Sequence, residues 1–370
     1  MKKQLSAYEL GYLVKELQFL VHGKISKVYQ PDIKKIVLQV HVPSKGKQLL
    51  SIYLPGFLFL ASSKLESPLK PFGFCTFLRK NIEGNKILSI EQKGFERIIE
   101  INLGSKDKER KLILELFGKG NVILCEKDYT ITGLLEPQKL KDRDVRGGVT
   151  YEFPKQPYDI DKMDDVTKAI NASKQDTIVK TIAVDLGLGG NIAEEICKIC
   201  EFEPELKIPK YGIMRVFEAF KEIRERKLNP KVVYDKEIID VVPNEFLIYG
   251  KYKQHSVKTF SEGLDKLVSF QLVNKEKNVK EDIYGQKLQK MEKLFKNQEK
   301  QLKDIEDDVL QNTQKADKLY EQYQVVKEAL DLVKGEIDSG KDWSEIKKKF
   351  KGHEVIKEID AKEKKVLIEL

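Results

Sequence analysis

Cysteine, histidine and long apolar runs are all scarce in this sequence. Four of the 370 residues are cysteine and four are histidine. No positively charged apolar leader with a small-residue cleavage site opens the chain, so this cysteine content argues against a disulfide-stapled secreted protein and favours the cytoplasm. The most apolar stretch, residues 49–61, is shorter than the about 20 residues that a membrane helix needs and is interrupted by Pro55-Gly56. We therefore expect no membrane span.

Motifs for catalysis or metal binding are equally scarce. The histidines are scattered without partnered motifs, and Gly118-Lys119-Gly120 lies between predicted strands, unlike a phosphate-binding glycine loop, which opens a helix. Cys197 and Cys200 have the spacing of a metal-binding pair but lack the second pair that a structural zinc site needs, so we interpret them as a buried helix face. We expect no catalytic residue, no metal, no cofactor and no enzymatic activity.

Positive charge is present and unevenly distributed. Residues 1–155 contain about 27 Lys and Arg against about 17 Asp and Glu, whereas the whole chain has a net charge of +8. The excess therefore belongs to the N-terminal region. A basic domain suggests a polyanion such as nucleic acid, because neutralised phosphates release counterions and favour binding. Lysine kept only for solubility is the alternative.

The N-terminal region has an α+β pattern dominated by antiparallel strands. Ser6 followed by Glu9 predicts a capping box for a helix over residues 7–20. Alternating apolar residues over 36–42 predict a strand, and the spacing of residues 72–82 predicts a second helix. Short strands are then predicted over residues 87–90, 98–103, 112–116 and 121–124. The predicted first part of this domain is residues 1–158.

A helical region follows, predicted as residues 159–230 and as an insertion in the first domain. It contains a glycine-rich turn in which Gly187, Gly189, Gly190 and Asn191 lie between two short helices. This pattern is typical of a helix-hairpin-helix, whose backbone N–H groups bind a phosphate. An ordinary helical hairpin also uses glycine, and Glu194-Glu195 would repel a phosphate that came too close.

The last third begins with a strand-like segment and continues as a heptad repeat. Residues 231–275, with strands over 231–234 and 246–249 and a short helix start at 259–265, are predicted to close the first domain. Residues 276–339 carry apolar residues in a three-four alternation over seven heptads, which predicts one long coiled-coil helix. Such a seam needs a partner helix, in a second chain (a homodimer) or in a segment beyond residue 370. Residues 340–370 have the pattern of a small tip domain that looks truncated.

Several charged residues are candidates for contact with a polyanion. Glu96-Arg97 stands at the start of a predicted strand, and arginine matches phosphate and base edges well, with a neighbouring carboxylate to orient it. A strand-end ion pair is the alternative for this dipeptide, and capping is the alternative for Glu9. The further basic candidates are Arg79, Lys80, Arg143 and Arg146.

The order of short motifs along the chain resembles the NFACT family, which includes NEMF, RqcH and fibronectin-binding protein A. The motifs are residues 6–10, 78–80, 94–99, 115–124, 148–154 and 340–346, and together they cover essentially the whole chain. The most specific are Glu115-Leu116-Phe117-Gly118-Lys119-Gly120-Asn121 and Asp342-Trp343-Ser344-Glu345-Ile346. The Lys- and Glu-rich composition suggests an archaeal member.

The resemblance implies a ribosome-associated quality control factor. Such a protein binds tRNA and a large ribosomal subunit with stalled peptidyl-tRNA, including its rRNA, and recruits aminoacyl-tRNA for C-terminal tailing without mRNA. The resemblance also implies three parts of the fold: an N-terminal domain similar to the N-domain of formamidopyrimidine-DNA glycosylases, the helix-hairpin-helix insertion and the coiled coil. It also implies that Glu9 and Glu96-Arg97 contact the anticodon arm of tRNA. Both acidic positions hold Glu where relatives commonly hold Asp, which lengthens the reach by about one methylene.

Three alternatives remain open from the sequence. One is a generic nucleic-acid-binding or DNA-repair-like protein, although the chain begins Met1-Lys2-Lys3 and lacks the N-terminal proline and zinc cysteines of the glycosylases. Another is a fibronectin-binding adhesin, and the third is a dimeric coiled-coil structural protein.

Overall fold

The protein folds as two units that divide after residue 275. The structure is a computed structural model that describes residues 2–105, 108–140, 143–155, 158–209 and 212–369, with the backbone alone described over 275–286. The first unit is Met1–Lys275 and the second is Glu276–Leu370. Within the described residues, no helix is long and apolar enough to cross a membrane.

Nine strands of the described chain form one antiparallel sheet in the first unit. Their spatial order is β4-β3-β2-β1-β5-β6-β7-β8-β9. The strands are β1 (Lys24–Asp32), β2 (Lys35–Val42), β3 (Gly46–Tyr53), β4 (Phe57–Ala61), β5 (Lys86–Gln92), β6 (Ile98–Ser105), β7 (Lys108–Glu115), β8 (Asn121–Glu126) and β9 (Ile131–Leu134). The predicted α+β class and its antiparallel strands are confirmed.

Two helices belong to this part of the chain. Helix α1 (Ala7–Leu17) precedes β1, and α2 (Gly73–Ile82) lies between β4 and β5. The predicted capping box begins α1, with the Ser6 side chain accepting from the Glu9 N–H and the Glu9 carboxylate accepting from the Ser6 N–H. A 3-10 turn over Gln18–Leu20 ends the segment predicted as one helix over 7–20. The apolar stripe of α1 packs into the main core, as expected for an amphipathic helix.

The other side of α1 is also buried, which the sequence did not indicate. Tyr8 and Tyr12 pack in a second core formed by the helical region, and both hydroxyls donate to the Ile223 carbonyl. The elements of that region are α3 (Met163–Ala172), α4 (Ile178–Lys180), a π-helical turn (Thr181–Asp185), α5 (Gly190–Cys200) and α6 (Gly212–Glu225). The two-residue strands β10 (Gln138–Lys139) and β11 (Asp144–Val145) precede it in the chain and pair with each other.

A small three-stranded sheet and the start of a long helix complete the first unit. The strands are β12 (Lys231–Asp235), β13 (Glu237–Val242) and β14 (Lys253–Ser256). Val232 and Phe260 lie in the same core as α1. Residues 246–249 were predicted as a strand, and this prediction is wrong: Leu247–Tyr249 is a 3-10 turn. An apolar run of four residues does not distinguish a strand from a buried turn.

The second unit contains the heptad repeat. The long helix α7 (Phe260–Glu321) is continuous from the predicted short helix at 259–265, and α8 (Tyr323–Asp338) follows it after Gln322. Apolar seam residues of α7, including Met291, Phe295 and Ile305, are exposed. The predicted helix is thus present, and its pairing as a coiled coil stays a prediction. Residues beyond α8 form α9 (Trp343–Lys349), β15 (Ile356–Asp360) and β16 (Lys365–Ile368). Val333 of α8 and Phe350 lie together in one small core.

A buried carboxylate on β6 gives the large sheet a pH-dependent stability. Glu100 accepts hydrogen bonds from Tyr129 at 3.0 Å and from Lys111 at 3.1 Å, and pairs with Lys93 at 3.1 Å. Burial acts to raise the pKa of Glu100, but these three partners outweigh it and hold the pKa below its ordinary value of 4.5. A carboxylate with a lowered pKa in the folded state stabilises the protein above that ordinary value, and this contribution is lost as the pH falls.

Replacing Glu100 with glutamine is expected to lower the free energy of unfolding by about 2 kcal/mol at pH 7, because two lysines lose a buried partner. Urea unfolding at a series of pH values measures the difference. The difference should shrink as the pH falls below 4.5, and the two proteins should converge in stability only below the lowered pKa of Glu100, where this residue becomes protonated in the folded wild type. A constant difference at all pH values would show that packing, and not the charge, is responsible.

Candidate nucleic-acid interface

A groove of about 640 Å³ lies in the first unit and is lined by segments that are far apart in the sequence. It brings together the N-terminal residues 2–7, Glu9, the turn at 95–97 and residues 183–192. Glu9, Glu96, Arg97 and the glycine-rich turn, four separate candidates from the sequence, therefore line one groove.

The Glu96-Arg97 dipeptide is held at the start of β6 from both sides. Gln92 donates from one amide nitrogen to the Ala7 carbonyl at 2.7 Å and the Glu96 carbonyl at 2.9 Å, which connects this turn to α1. On the other side, the Leu116 N–H donates to the Arg97 carbonyl at 2.8 Å. The backbone that carries the two side chains is thus fixed by strand pairing and by α1.

The Arg97 guanidinium is half-buried in this groove. Its Nη1 atom is buried and has no hydrogen-bond partner among the described residues. Burial lowers the pKa of Arg97, and the Glu96 charge opposes this effect. An arginine stays charged in proteins, so a buried donor without an acceptor costs free energy that an anionic or carbonyl oxygen would recover.

The glycine-rich turn presents bare backbone to the same groove. Gly187 (φ 68°) and Gly189 (φ 81°) occupy conformations that favour glycine, and Gly189 is the N-cap of α5. A Cβ built on Gly187 or Gly190 would meet no described atom within 4 Å. The first N–H groups of α5 lack intrahelical acceptors, so this helix start can donate to an anion. Assignment of the turn as a helix-hairpin-helix stays a prediction.

Glu9 is buried and its two carboxylate oxygens are occupied. One oxygen pairs with Lys2 and the other accepts from the Ser6 N–H at 2.8 Å. Burial raises the pKa of Glu9, against the Lys2 charge. The capping role that was the alternative for Glu9 is therefore present, and the predicted contact of Glu9 with tRNA stays a prediction.

Lys2 connects Glu9 to the start of α5 through a buried polar cluster. Its Nζ lies 2.7 Å from Asp240 of β13, whose other oxygen accepts from Asn191 Nδ2 at 2.6 Å and from the Tyr249 hydroxyl. Burial opposes the charge on Lys2, but Asp240 and Glu9 together raise its pKa. We call Lys2, Glu9, Asp240, Asn191 and Tyr249 the N-terminal cluster. The sequence did not indicate this cluster, because a lysine directly after Met1 carries no recognisable pattern.

Glu194 and Glu195 do not both face the groove. Glu195 is fully buried, where it pairs with Arg226 at 2.7 Å and accepts from the Ile248 N–H at 3.1 Å. Glu194 is exposed. The repulsion expected from two carboxylates after the turn is therefore reduced to that of Glu194.

Four basic candidates lie outside the groove lining. Arg79 and Lys80 are on α2, where Arg79 Nε donates to the Val28 carbonyl at 2.9 Å. The Arg143 side chain is 7% exposed and pairs with Glu115 at 2.6 Å, and it also donates to the Tyr151 hydroxyl at 3.2 Å. Its contact with nucleic acid stays a prediction. Arg146 is exposed and pairs with Asp144 at 2.9 Å.

The cysteine pair lies where the sequence placed it. Cys197 and Cys200 are both buried on α5. Burial raises the pKa of Cys197 to about 12, which disfavours the thiolate that binds metal. Across the described ranges, no group of three or more His, Cys, Asp and Glu side chains could hold a metal ion.

Comparison with known proteins places the chain among ribosome quality control relatives. It is 29% identical over 369 residues to an archaeal Rqc2 homolog, aRqcH, of Methanocaldococcus jannaschii, covering 94% of this chain and 54% of that protein. It is 24% identical over 389 residues to the human ribosome quality control complex subunit NEMF, covering 94% of this chain and 35% of the human protein. The chain thus spans about half or less of these relatives.

Solved structures and a family profile agree with these relatives. A fibrinogen-binding protein of Staphylococcus aureus superposes with a TM-score of 0.57 at 25% identity, covering 71% of this chain and 98% of that one. The N-terminal part of a fibronectin/fibrinogen-binding protein of Streptococcus suis superposes with a TM-score of 0.58 at 21% identity, over 72% of this chain and 99% of that one, and supports the fold. The profile of the NFACT N-terminal and middle domains matches residues 8–367. The chain belongs to the NFACT family.

Proposed function

We propose that this protein acts in ribosome quality control by binding RNA without catalysis, and that its groove holds part of the anticodon arm of a tRNA. The observation that carries the proposal is the half-buried Arg97, whose Nη1 lacks an acceptor among the described residues, facing the same groove as the bare start of α5. Both are donor groups, and RNA supplies phosphate and base acceptors.

The two donor groups have different tasks in this proposal. The start of α5 and the amides of its glycine-rich turn contact a phosphate, because they carry a partial positive charge without a side chain to obstruct the approach. Arg97 contacts a base edge or a second phosphate, with Glu96 beside it to accept from a base amine. The relatives named Rqc2 homolog and ribosome quality control complex subunit NEMF support ribosome quality control as the cellular context. In that context we propose that the protein recruits aminoacyl-tRNA to a large subunit that carries stalled peptidyl-tRNA.

Replacing Arg97 with alanine is expected to weaken tRNA binding about tenfold and to reduce the slope of log K against log salt by about one, because one desolvated cation is lost. Fluorescence anisotropy with labelled tRNA across a salt series measures both quantities on the 370-residue chain, and separated large ribosomal subunits serve as a second ligand.

Arg215→Ala is the matched control, because Arg215 on α6 is an exposed arginine of the same unit outside the groove lining. Its tRNA affinity should stay within about twofold of the wild type. Equal losses of tRNA affinity in the two variants would show that tRNA binds to the positive charge of the surface in general and not to the groove. An unchanged tRNA affinity of Arg97→Ala would reject the proposal.

A further inference from the structure

The groove contains an acidic side chain that the proposed function does not use. Asp185 lines the groove and is half-buried. Its Oδ2 atom is buried and has no hydrogen-bond partner among the described residues, while its Oδ1 atom accepts from Gln175 Nε2 at 3.5 Å. A buried carboxylate oxygen without a donor costs free energy, which a hydrogen-bond donor on a ligand in the groove would recover.

The backbone around Asp185 is held in place by hydrogen bonds. Asp185 is the last residue of the π-helical turn and directly precedes the glycine-rich turn. The Leu186 N–H donates to the Thr181 carbonyl at 3.2 Å, and the Gly189 N–H donates to the Ala183 carbonyl at 3.1 Å. Single π-helical turns are rare and occur frequently at functional sites. The carboxylate is thus carried by a backbone that needs little ordering when a ligand binds.

Asp185 and Arg97 give the groove an acceptor and a donor of opposite charge. Asp185 Oδ2 and Arg97 Nη1 are both buried and both unpartnered within the described ranges, so they do not bond to each other. A phosphate offers acceptors and is repelled by a carboxylate, which makes it a poor neighbour for Asp185. An exposed base offers donors as well as acceptors on its edges. The pair therefore favours a base at this part of the groove.

Apolar side chains line the same groove. Phe95, Tyr158 and Ile160 belong to the lining, and so does the exposed Val184. The Phe95 ring meets the Phe220 ring edge-on at a centroid distance of 5.4 Å, which fixes its orientation. Unstacked bases of single-stranded RNA pack their flat faces against aromatic and apolar side chains. The lining thus suits a base better than a second phosphate.

We propose that the groove accepts an unstacked base with an exocyclic amine, and that Asp185 determines base specificity by accepting from this amine. The proposal rests on the proposed function, because the base belongs to the anticodon arm, and goes beyond it by naming the class of base. Cytosine and adenine present an amine beside a ring nitrogen, and carboxylates of Asp and Glu accept from the cytosine amine in nucleic-acid complexes. Uracil has a carbonyl oxygen at the position of that amine, which a carboxylate repels.

The test compares two RNA hairpins that share one stem and have loops of seven cytidines or seven uridines. Their sugars and phosphates are the same, so a difference in affinity comes from the bases. In fluorescence anisotropy with the 370-residue chain, the wild type is expected to bind the cytidine loop about tenfold more tightly than the uridine loop. Asp185→Asn keeps the side-chain volume but adds a donor that suits the uracil carbonyl, and its affinities for the two loops should lie within about twofold of each other.

Glu194→Gln is the matched control, because Glu194 is an exposed carboxylate on α5 outside the groove lining. It removes the same charge as Asp185→Asn and should keep the preference for cytidine. General electrostatics alone predicts that both variants bind both loops equally well or more tightly, since each loses a negative charge that repels RNA. Loss of the cytidine preference in Asp185→Asn alone therefore supports recognition of the amine.

The outcomes separate this proposal from the proposed function. Equal wild-type affinity for the two loops, or a cytidine preference that survives in Asp185→Asn, overturns the role of Asp185, and so does a preference lost equally in Glu194→Gln. If Arg97→Ala weakens tRNA binding in either of these cases, the groove still binds RNA and only the base specificity is rejected. If the cytidine preference is lost in Asp185→Asn while Arg97→Ala binds tRNA like the wild type, Asp185 keeps its role and the Arg97 contact is rejected.

Discussion

Replacing Lys2 with methionine is expected to lower the free energy of unfolding by about 4 kcal/mol at pH 7. Lys2 is the cation between Glu9 and Asp240, and all three side chains are buried. Methionine keeps most of the length of lysine but removes its charge. Two carboxylates then face each other without a counter-charge in a buried setting, which is costly. Urea unfolding followed by circular dichroism measures the loss.

The same variant should recover stability as the pH falls from 7. Burial already raises the pKa of Glu9 while Lys2 opposes that effect, so removing Lys2 raises this pKa further. The folded variant then binds a proton that the unfolded chain releases, and its stability increases toward lower pH. Lys2→Met/Asp240→Asn, which removes one of the two carboxylates, is the control and should recover part of the loss at pH 7. Wild-type stability of Lys2→Met, or a further loss at lower pH, would contradict this role of the N-terminal cluster.

Replacing Gly189 with valine is expected to destabilise the protein by about 3 kcal/mol and to weaken tRNA binding at least tenfold. Gly189 has φ 81° and ψ 162°, a conformation that is essentially restricted to glycine. A Cβ at this position would have its nearest described neighbour at 3.9 Å, the Cβ of Ser6, so the strain comes from the backbone. Relief of that strain shifts the start of α5, which the proposed phosphate contact needs in place.

Gly190→Ala is the matched control for this prediction. Gly190 is the first residue of α5, and the described structure leaves open space around its Cβ position. Alanine is a good helix former, so stability should stay within about 0.5 kcal/mol or increase. Thermal unfolding and tRNA anisotropy on both variants give the comparison. Wild-type affinity of both variants for tRNA would remove the start of α5 from the interface.

Local patterns predicted the first unit well because its elements are specified by nearby residues. The Ser6–Glu9 capping box and the alternation in β2 each depend on a few neighbours in the chain. Residues 246–249 failed for the opposite reason. Phe246 is buried in the second core and Ile248 and Tyr249 pack against it, while Leu247 is exposed, so tertiary packing decides between a turn and a strand.

The candidate site also depends on contacts between distant residues, which local patterns do not indicate. Arginine next to a carboxylate and a glycine-rich turn each gave a signal, but no pattern indicated that residues 96–97 and 187–191 line one groove, since their meeting depends on how the helical region folds. The sequence also did not indicate that the Arg143 side chain is largely buried, because a charge in the sequence carries no sign of burial. Its ion pair with Glu115 depends on a contact between residues 28 positions apart.

The exposed seam of α7 is the largest unpartnered apolar feature of the described second unit. Met291, Phe295 and Ile305 expose more than half of their side chains. A seam of this kind is stable in water only when it pairs with another helix. A partner helix, in a second copy or in a further segment of a longer protein, stays a prediction of the heptad pattern, as do the predicted domain boundaries at residues 158, 230, 275 and 339.

Photo-crosslinking from the groove tests the central claim most directly. A photoreactive amino acid at Val184, which is 63% exposed in the groove lining, reports what occupies the groove, and Met214 on α6 is an exposed control position outside it. The account predicts crosslinks from position 184 to the anticodon arm of tRNA, and their loss in Glu96→Ala/Arg97→Ala. Crosslinks of equal yield from both positions, or crosslinks from position 184 that survive the double substitution, would contradict it.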